Sequence, residues 1–334
     1  MNQENTPNFT NLTNLAAEKI GAKALVSSDD FFAEKENLLR PGRGIFIADK
    51  YTERGKWMDG WESRRKRVPG HDWCIIQLGT SGVIQGLDID TNHFLGNHPP
   101  FASVEACKVP NNTSINALQS EDIQWTEILP KSPLDPGSQH FFEIADDQIW
   151  SHLRLHIYPD GGVARFKVYG DVYKDWNTVN AEEEIDLASV LNGARSIECN
   201  DMFFSHMQNL LMPGRGVNMG DGWETKRNRI PNNVDWVVIQ LATKGTINKL
   251  LVDTCHFKGN YPDRCSIEGC NVSSLDKLKE ATWTEILPPS KLEADHEHFF
   301  ENEIVEKGPF THVRLKIYPD GGISRLRIFG NKQS

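Results

Sequence analysis

The chain lacks several things that would have settled its class at once. Its six cysteines, at 74, 107, 199, 255, 265 and 270, show no Cys-x-x-Cys spacing, which argues against a zinc finger or a thioredoxin-type redox motif. No segment approaches the roughly 18 apolar residues of a membrane span, and "MNQENTPNFTNLTNL" has no basic region followed by an apolar stretch, so neither a span nor secretion is expected. Positive charge is short: 36 Lys and Arg against 46 Asp and Glu give a net charge of −10, which disfavours nucleic acid or an anionic membrane as main partner. There is no Gly-rich phosphate loop, no "GxSxG", no "HExxH" and no dinucleotide fingerprint, so NTP and nicotinamide chemistry are excluded as readings.

What the chain has is itself, twice. "HLRLHIYPDGG" from His152 returns as "HVRLKIYPDGG" from His312. "LAAEKIGAKALVSSDDFF" from Leu15 aligns with "LASVLNGARSIECNDMFF" from Leu187, and "RPGRG" at 40–44 with "MPGRG" at 212–216, at a constant offset of 172. "DGWE", "DTNHFLGN" and "DTCHFKGN", "WTEILP" and "HFFE" follow in the same order. The main asymmetry is about ten extra residues, near "IFIADKYTER", in the first copy. A period this long means a duplicated domain, since solenoid units repeat every 20 to 50 residues or so. The expected organisation is a first repeat over 1–170, a linker over 171–186 and a second repeat over 187–334. Of the cysteines only Cys107 and Cys270 match between copies, so no disulfide framework was duplicated and a cytoplasmic location is expected.

Within each copy the signal is strand. "DWCIIQL", "VIQGLDID", "SVEACKV", "QWTEIL" and "HLRLHIY" are short runs rich in β-branched and aromatic residues, bounded by Gly, Pro, Asn and Asp. An all-β fold is expected, as two tandem β-sandwiches or jelly rolls. In "HLRLHIY" the apolar Leu153, Leu155 and Ile157 alternate with His152, Arg154 and His156, which predicts one buried and one solvated face. "PDGG" is expected to close a hairpin onto "VARFKVYG". Short helices are expected only at each domain entry, N-capped by Asn14 or Asp186 and ended by Gly21 or Gly193.

Polar matches in loops are the more informative ones, because loops drift fastest. The "DGWE" loops keep Asp59 and Glu62, and Asp221 and Glu224, each followed by an arginine pair, Arg65 with Arg67 and Arg227 with Arg229. Turn glycines beside a core tryptophan explain such a loop equally well; a planar guanidinium clamp for a small carboxylate is the functional alternative. Asp90 with His93, and Asp253 with His256, stand just past a strand, where they could share a proton, cap a turn or contribute to a metal site given two further ligands. His140 with Glu143, His298 with Glu301, and Arg154 and Arg314 complete the matched polar set. The His-x-His of "HEHFF" has no counterpart in "SQHFF" and is discounted as a duplicated metal site.

Taken together, "RPGRG", "DGWESRR", "DWCIIQLG", "DIDTNHFLGN", "WTEILP" and "HLRLHIYPDGGVARFKVYG", each recurring in the second half, resemble the allantoicase family of purine degradation over about residues 15 to 330. The resemblance implies two galactose-binding-like jelly-roll sandwiches and hydrolysis of allantoate to ureidoglycolate and urea. Allantoate is a carboxylate whose α-carbon bears two ureido groups, so its recognition needs a cationic clamp and acceptors for N–H donors. The bond broken joins a tetrahedral carbon to nitrogen, so the reaction needs a proton for the departing urea rather than an acyl nucleophile. His93 or His256 is the candidate donor, with Asp90 or Asp253 as partner or base. Arg65 or Arg227 is the candidate clamp, with Asp59, Glu62, Asp221, Glu224, Arg154 and Arg314 as further substrate contacts. The sequence specifies no cofactor; a bound divalent metal, polarising the departing ureido oxygen or activating the water, is the open alternative. The partner expected is the small-molecule substrate, with self-association into a homo-oligomer left open. The rival reading is a non-catalytic tandem module binding a small anion or sugar.

Overall fold

The computed structural model describes residues 6–333; the first five residues of the expected first repeat, and Ser334 of the second, lie outside that range. Contacts divide the chain into two units, one running to Tyr173 and the other starting at Lys174. Residues 174–186 of the expected linker therefore go with the second unit, where Ile185–Asp186 pairs with the final strand and Trp176 O accepts from Lys332.

The first unit contains β1 (Thr13–Asn14), β2 (Lys23–Ser27), β3 (Tyr51–Thr52), β4 (Gly55–Lys56), β5 (Trp61–Glu62), β6 (Asp72–Asp90), β7 (Phe101–Cys107), β8 (Thr126–Pro133), β9 (Gln139–Glu143), β10 (Ile149–Tyr158), β11 (Gly162–Val163) and β12 (Arg165–Val172). The long strand β6 organises it. Its first half pairs with β2 on one side and β10 on the other, and β10 continues the sheet to β7 and β8. Its second half pairs with β9 and β12, and β12 with β1. Both halves are largely buried, with continuous runs at Cys74–Ile76 and Gly86–Asp90, and burial lapses at Gly79–Ser81, so one strand serves two layers that fold face to face. Gly82 sits at that bend, where a Cβ would meet the Asp171 carbonyl at 2.5 Å. The space between the layers is filled by Trp61, Ile76, Leu78, Leu87, Val104, Leu155 and Phe166, all buried, each such side chain stabilising the fold by about 1.5–3 kcal/mol.

The second unit repeats the plan with β13 (Ile185–Asp186), β14 (Arg195–Cys199), β15 (Trp223–Glu224), β16 (Asp235–Asp253), β17 (Arg264–Cys270), β18 (Thr284–Lys291), β19 (Glu297–Phe300), β20 (Phe310–Tyr318), β21 (Gly322–Ile323) and β22 (Arg325–Lys332). Its strand order matches that of the first unit, with β14 and β19 as side partners of β16. The all-β, duplicated sandwich expected from the sequence is what the chain forms.

Three local expectations fail. "PDGG" does not close a hairpin: β10 lies beside β6 and β7, whereas β12 pairs with the other half of β6, so the turn carries the chain between layers. Asn14 and Asp186 are strand residues; Asn14 accepts from the amides of Ala16 and Val168, and Asp186 from those of Ala188 and Ile328. The turns that end at Gly21 and Gly193, both left-handed, are single 3-10 turns starting at Glu18 and Val190, and further short helical turns occur at Lys35–Leu39, Ile115–Leu118 and Met207–Leu211. The outer face of β10 is not solvated. Ile75, Cys107 and Leu118, with Trp73 and Trp125 against them, cover it, and His152 is 0% exposed.

Candidate functional site

Four loops of the first unit are laced together at one end. In the loop at 40–46, Arg43 donates from Nε and Nη2 to the two carboxylate oxygens of Asp90, both at 2.8 Å. The Ile45 amide donates to Asp59 at 2.9 Å, and Arg165 donates to the same carboxylate at 2.7 Å. Asn92 Nδ2 donates to the Gly44 carbonyl at 2.7 Å. Burial works to raise the Asp59 carboxyl, but Arg165, the Ile45 amide and Arg40 outweigh it and hold it below the usual carboxylate range. The second unit builds the same frame: Arg215 on Asp253 at 3.1 and 3.2 Å, Arg325 on Asp221 at 2.8 Å, and the Val217 amide on Asp221 at 3.0 Å.

This frame corrects the pairing expected of Asp90 with His93 and of Asp253 with His256. Each aspartate ends a strand with its side chain buried and is taken bidentately by an arginine. Each histidine is at positive φ, +68° for His93 and +70° for His256. His93 stacks on Phe46 with centroids 5.6 Å apart, and His256 Nε2 lies 2.9 Å from the Gly216 carbonyl. Asp59 and Asp221, expected as substrate contacts, are likewise occupied in buried ion pairs.

Glu62 remains half-buried beside this frame, accepting from Asn97 at 2.7 Å. Its burial raises the carboxyl above the usual range, with Asn97 opposing. Glu224 accepts from Asn260 at 2.5 Å in the matching place. Arg65 and Arg227 are exposed. Arg154 and Arg314 belong elsewhere, on the sheet face: they pair with Glu105 and Glu268 and lie over Trp125 and Trp283. His140 and His298 hold turns, each taking a backbone amide at 2.7 Å.

The ten-residue insertion folds as the β3–β4 hairpin and has no equivalent in the second unit. On one side it places Phe46 against His93, with Lys56 over the Phe46 ring. On the other it walls a cavity of about 400 Å³ lined by Asn37, Arg40, Glu34, Glu53, Arg54 and Trp57, among others. Ala33 of this cavity is bridged to Glu62, and Arg40 lies 3.8 Å from Asp59. Two cations, two carboxylates and an amide around a space of this size fit a small polar anion.

Sequence reasoning missed Arg43, Arg165, Arg215 and Arg325 as frame residues, although "PGRG" and the arginine of "ARF" and "SRL" recur in both copies and carried the signal. It missed Arg54 and Trp57 because the insertion and its surroundings have no second copy to compare, and Arg40 because its counterpart in the second copy is Met212.

A family model described as the allantoicase repeat matches residues 13–173 and again 185–333. A protein of Pseudomonas syringae named as a probable allantoicase is 49% identical over 326 residues, covering 96% of this chain and 97% of its own length. One of Burkholderia mallei, named probable allantoicase 1, is 48% identical with 99% and 98% covered. The crystal structure of allantoicase from Saccharomyces cerevisiae superposes with a TM-score of 0.80 at 40% identity, covering 95% of this chain and 92% of that one. A second solved allantoicase gives a TM-score of 0.83 at 38% identity, with 96% and 93% covered.

Proposed function

The chain belongs to the allantoicase family and hydrolyses allantoate to ureidoglycolate and urea, and from that premise we propose that the reaction runs at the loop end of the first domain, in and beside the cavity walled by the inserted hairpin. The observation that carries this location is the cavity itself, with Arg40 and Arg54 in its lining and the backbone of Glu62 bridged to that of Ala33 in its wall. A non-catalytic tandem module is set aside by the near full-length likeness to allantoicases.

Arg40 and Arg54 take the substrate carboxylate. Glu34 and Glu53 accept ureido N–H groups, and Trp57 limits the space on one side. Glu62, whose burial favours its protonated form, donates its proton to the departing ureido nitrogen while the lone pair of the remaining ureido nitrogen expels urea. Water then adds to the imine-like carbon and returns a proton to Glu62, so allantoate and water give ureidoglycolate and urea with the enzyme unchanged. His93, stacked on Phe46, lies on the other side of the hairpin from this cavity and takes no part in the step. Asp90 and Asp253 act by fixing the loops rather than as bases.

The six free thiols, five of them buried, suit a reducing cytoplasm. No helix among the described residues is long and apolar enough to cross a membrane. Urea release from allantoate by the purified chain, compared with the Arg54→Met and Glu62→Gln variants, tests the site. Unchanged kinetics in both variants would move it out of the first-domain cavity.

A further inference from the structure

We propose that Cys255, His256 and Asp295 form a zinc site confined to the second domain, independent of the allantoate site in the first. Their donor atoms all lie within 4.8 Å of one another. A tetrahedral zinc with bonds of about 2.0–2.3 Å needs its ligands roughly 3.3–3.8 Å apart, so a small closing motion completes the site. Cys255 is buried, His256 half-buried and Asp295 exposed, which leaves an entry path and a fourth position for water.

Two details show that the cluster is more than a turn cap. The first is tautomeric. His256 Nε2 lies 2.9 Å from the Gly216 carbonyl, and a carbonyl only accepts, so Nε2 carries the proton and Nδ1 keeps its lone pair. This is the arrangement by which an outer carbonyl prepares a histidine for a metal.

The second is the contrast with the other copy. In the first domain Asn92 holds the equivalent Gly44 carbonyl and Gly137 makes the facing turn at φ +64°. In the second domain the histidine has taken over the carbonyl, which frees position 255 from bracing the loop, and that position is a cysteine. The facing turn is made by Asp295 at φ +50°, a conformation that suits glycine better than aspartate. Both changes introduce a metal-binding side chain, and both fall at the same place. Asp295 already receives the His256 amide at 2.7 Å on Oδ1, and Lys258 stands 3.9 Å from Oδ2 as a countercharge.

A thiolate, an imidazole and a carboxylate are a borderline-soft donor set that suits zinc over magnesium or calcium. Forming the zinc–sulfur bond breaks the S–H bond of Cys255 and releases that proton to solvent.

The test is a titration of the full-length chain with cobalt(II) as a spectroscopic stand-in, followed by displacement with zinc. One equivalent should bind with visible bands of a tetrahedral ion and a sulfur-to-cobalt charge-transfer band, and zinc should bleach both. Cys255→Asn, which restores the residue of the first domain, should remove the charge-transfer band and weaken zinc binding by more than about 100-fold, beyond what loss of an outer partner costs. Asp295→Gly should weaken binding while keeping that band. Near-ultraviolet circular dichroism of both variants checks that the domain stays folded. Saturation without a thiolate band, or unchanged zinc affinity in folded Cys255→Asn, would overturn the assignment.

Discussion

In the first domain Asn92 braces the "PGRG" loop, Gly137 turns the facing strand and an inserted hairpin walls a cavity; in the second, His256 braces the loop, Asp295 makes the turn and the hairpin is absent. Beneath these differences the two arginine–aspartate pairs of each frame are the same. A frame made of buried charge resists drift, because losing one partner strands the other, whereas the residues it presents to solvent change at little cost to folding. Duplication thus preserved the scaffold and let the two loop ends diverge.

The sharpest way to break that comparison is to remove a frame arginine from either copy. Arg165→Met leaves Asp59 buried and unpaired, and should cost about 3–5 kcal/mol of stability. Arg325→Met should cost the second domain a similar amount through Asp221. Denaturant unfolding of each variant measures this, and a large loss in one domain only would mean that the frame is not shared.

The next effect separates the domains by chemistry. Glu62→Gln should lower kcat by about 100-fold, a barrier rise of about 2.7 kcal/mol, while Glu224→Gln leaves most of the activity. Glu62 also carries a signed pH signature. Its carboxyl is raised in the folded chain, so it favours folding at acid pH, and that contribution is lost as pH rises through its folded value. Activity, which needs the protonated form, should fall over the same window, and Glu62→Gln at neutral pH should melt slightly higher than the parent. Equal losses of kcat in Glu62→Gln and Glu224→Gln would give both loop ends a working site.

A smaller change is expected in binding. Arg54→Met should raise the KM for allantoate by about tenfold, a loss of about 1.4 kcal/mol, and Arg227→Met should leave it nearly unchanged. If Arg227→Met has the larger effect, the carboxylate is held in the second domain.

The smallest effect should be common to both domains. Burial pushes His152 down to about 4 and lowers His312 as well. Below pH 6.5 or so the unfolded chain binds protons that these rings refuse when folded, so stability falls as pH drops toward 4, by about 1 kcal/mol for His152 over the first unit, with His312 adding in the same direction. Replacing either by Gln should flatten the slope, read from thermal melts across that range. A slope carried by one histidine alone would mark a difference in packing between two sandwiches that otherwise match.

The candidate site was legible in proportion to how far it was duplicated. Asp59, Glu62, Asp90 and His93 stood out because their partners 162 or 163 residues on repeat them. What they do was not legible. Asp90 and His93 are three residues apart and looked like a dyad, but Arg43, 47 residues upstream, takes the carboxylate. Arg154 looked like a surface cation until Trp125, from a loop distant in sequence, covered it. Arg54 left no trace, since it stands in a hairpin present in one copy only, and Arg40 was passed over because its counterpart is Met212.

By itself the sequence determined the duplication, the strand-built fold and the family, because repeats, period-two alternation and ordered motifs are properties of the chain read in one dimension. The tertiary structure alone decided which carboxylates are committed to buried ion pairs, which carboxyls burial shifts upward, and where a cavity opens. Those outcomes depend on distances between residues far apart in the chain and on local solvent exclusion, and charge interactions in a folded protein follow that geometry rather than sequence spacing.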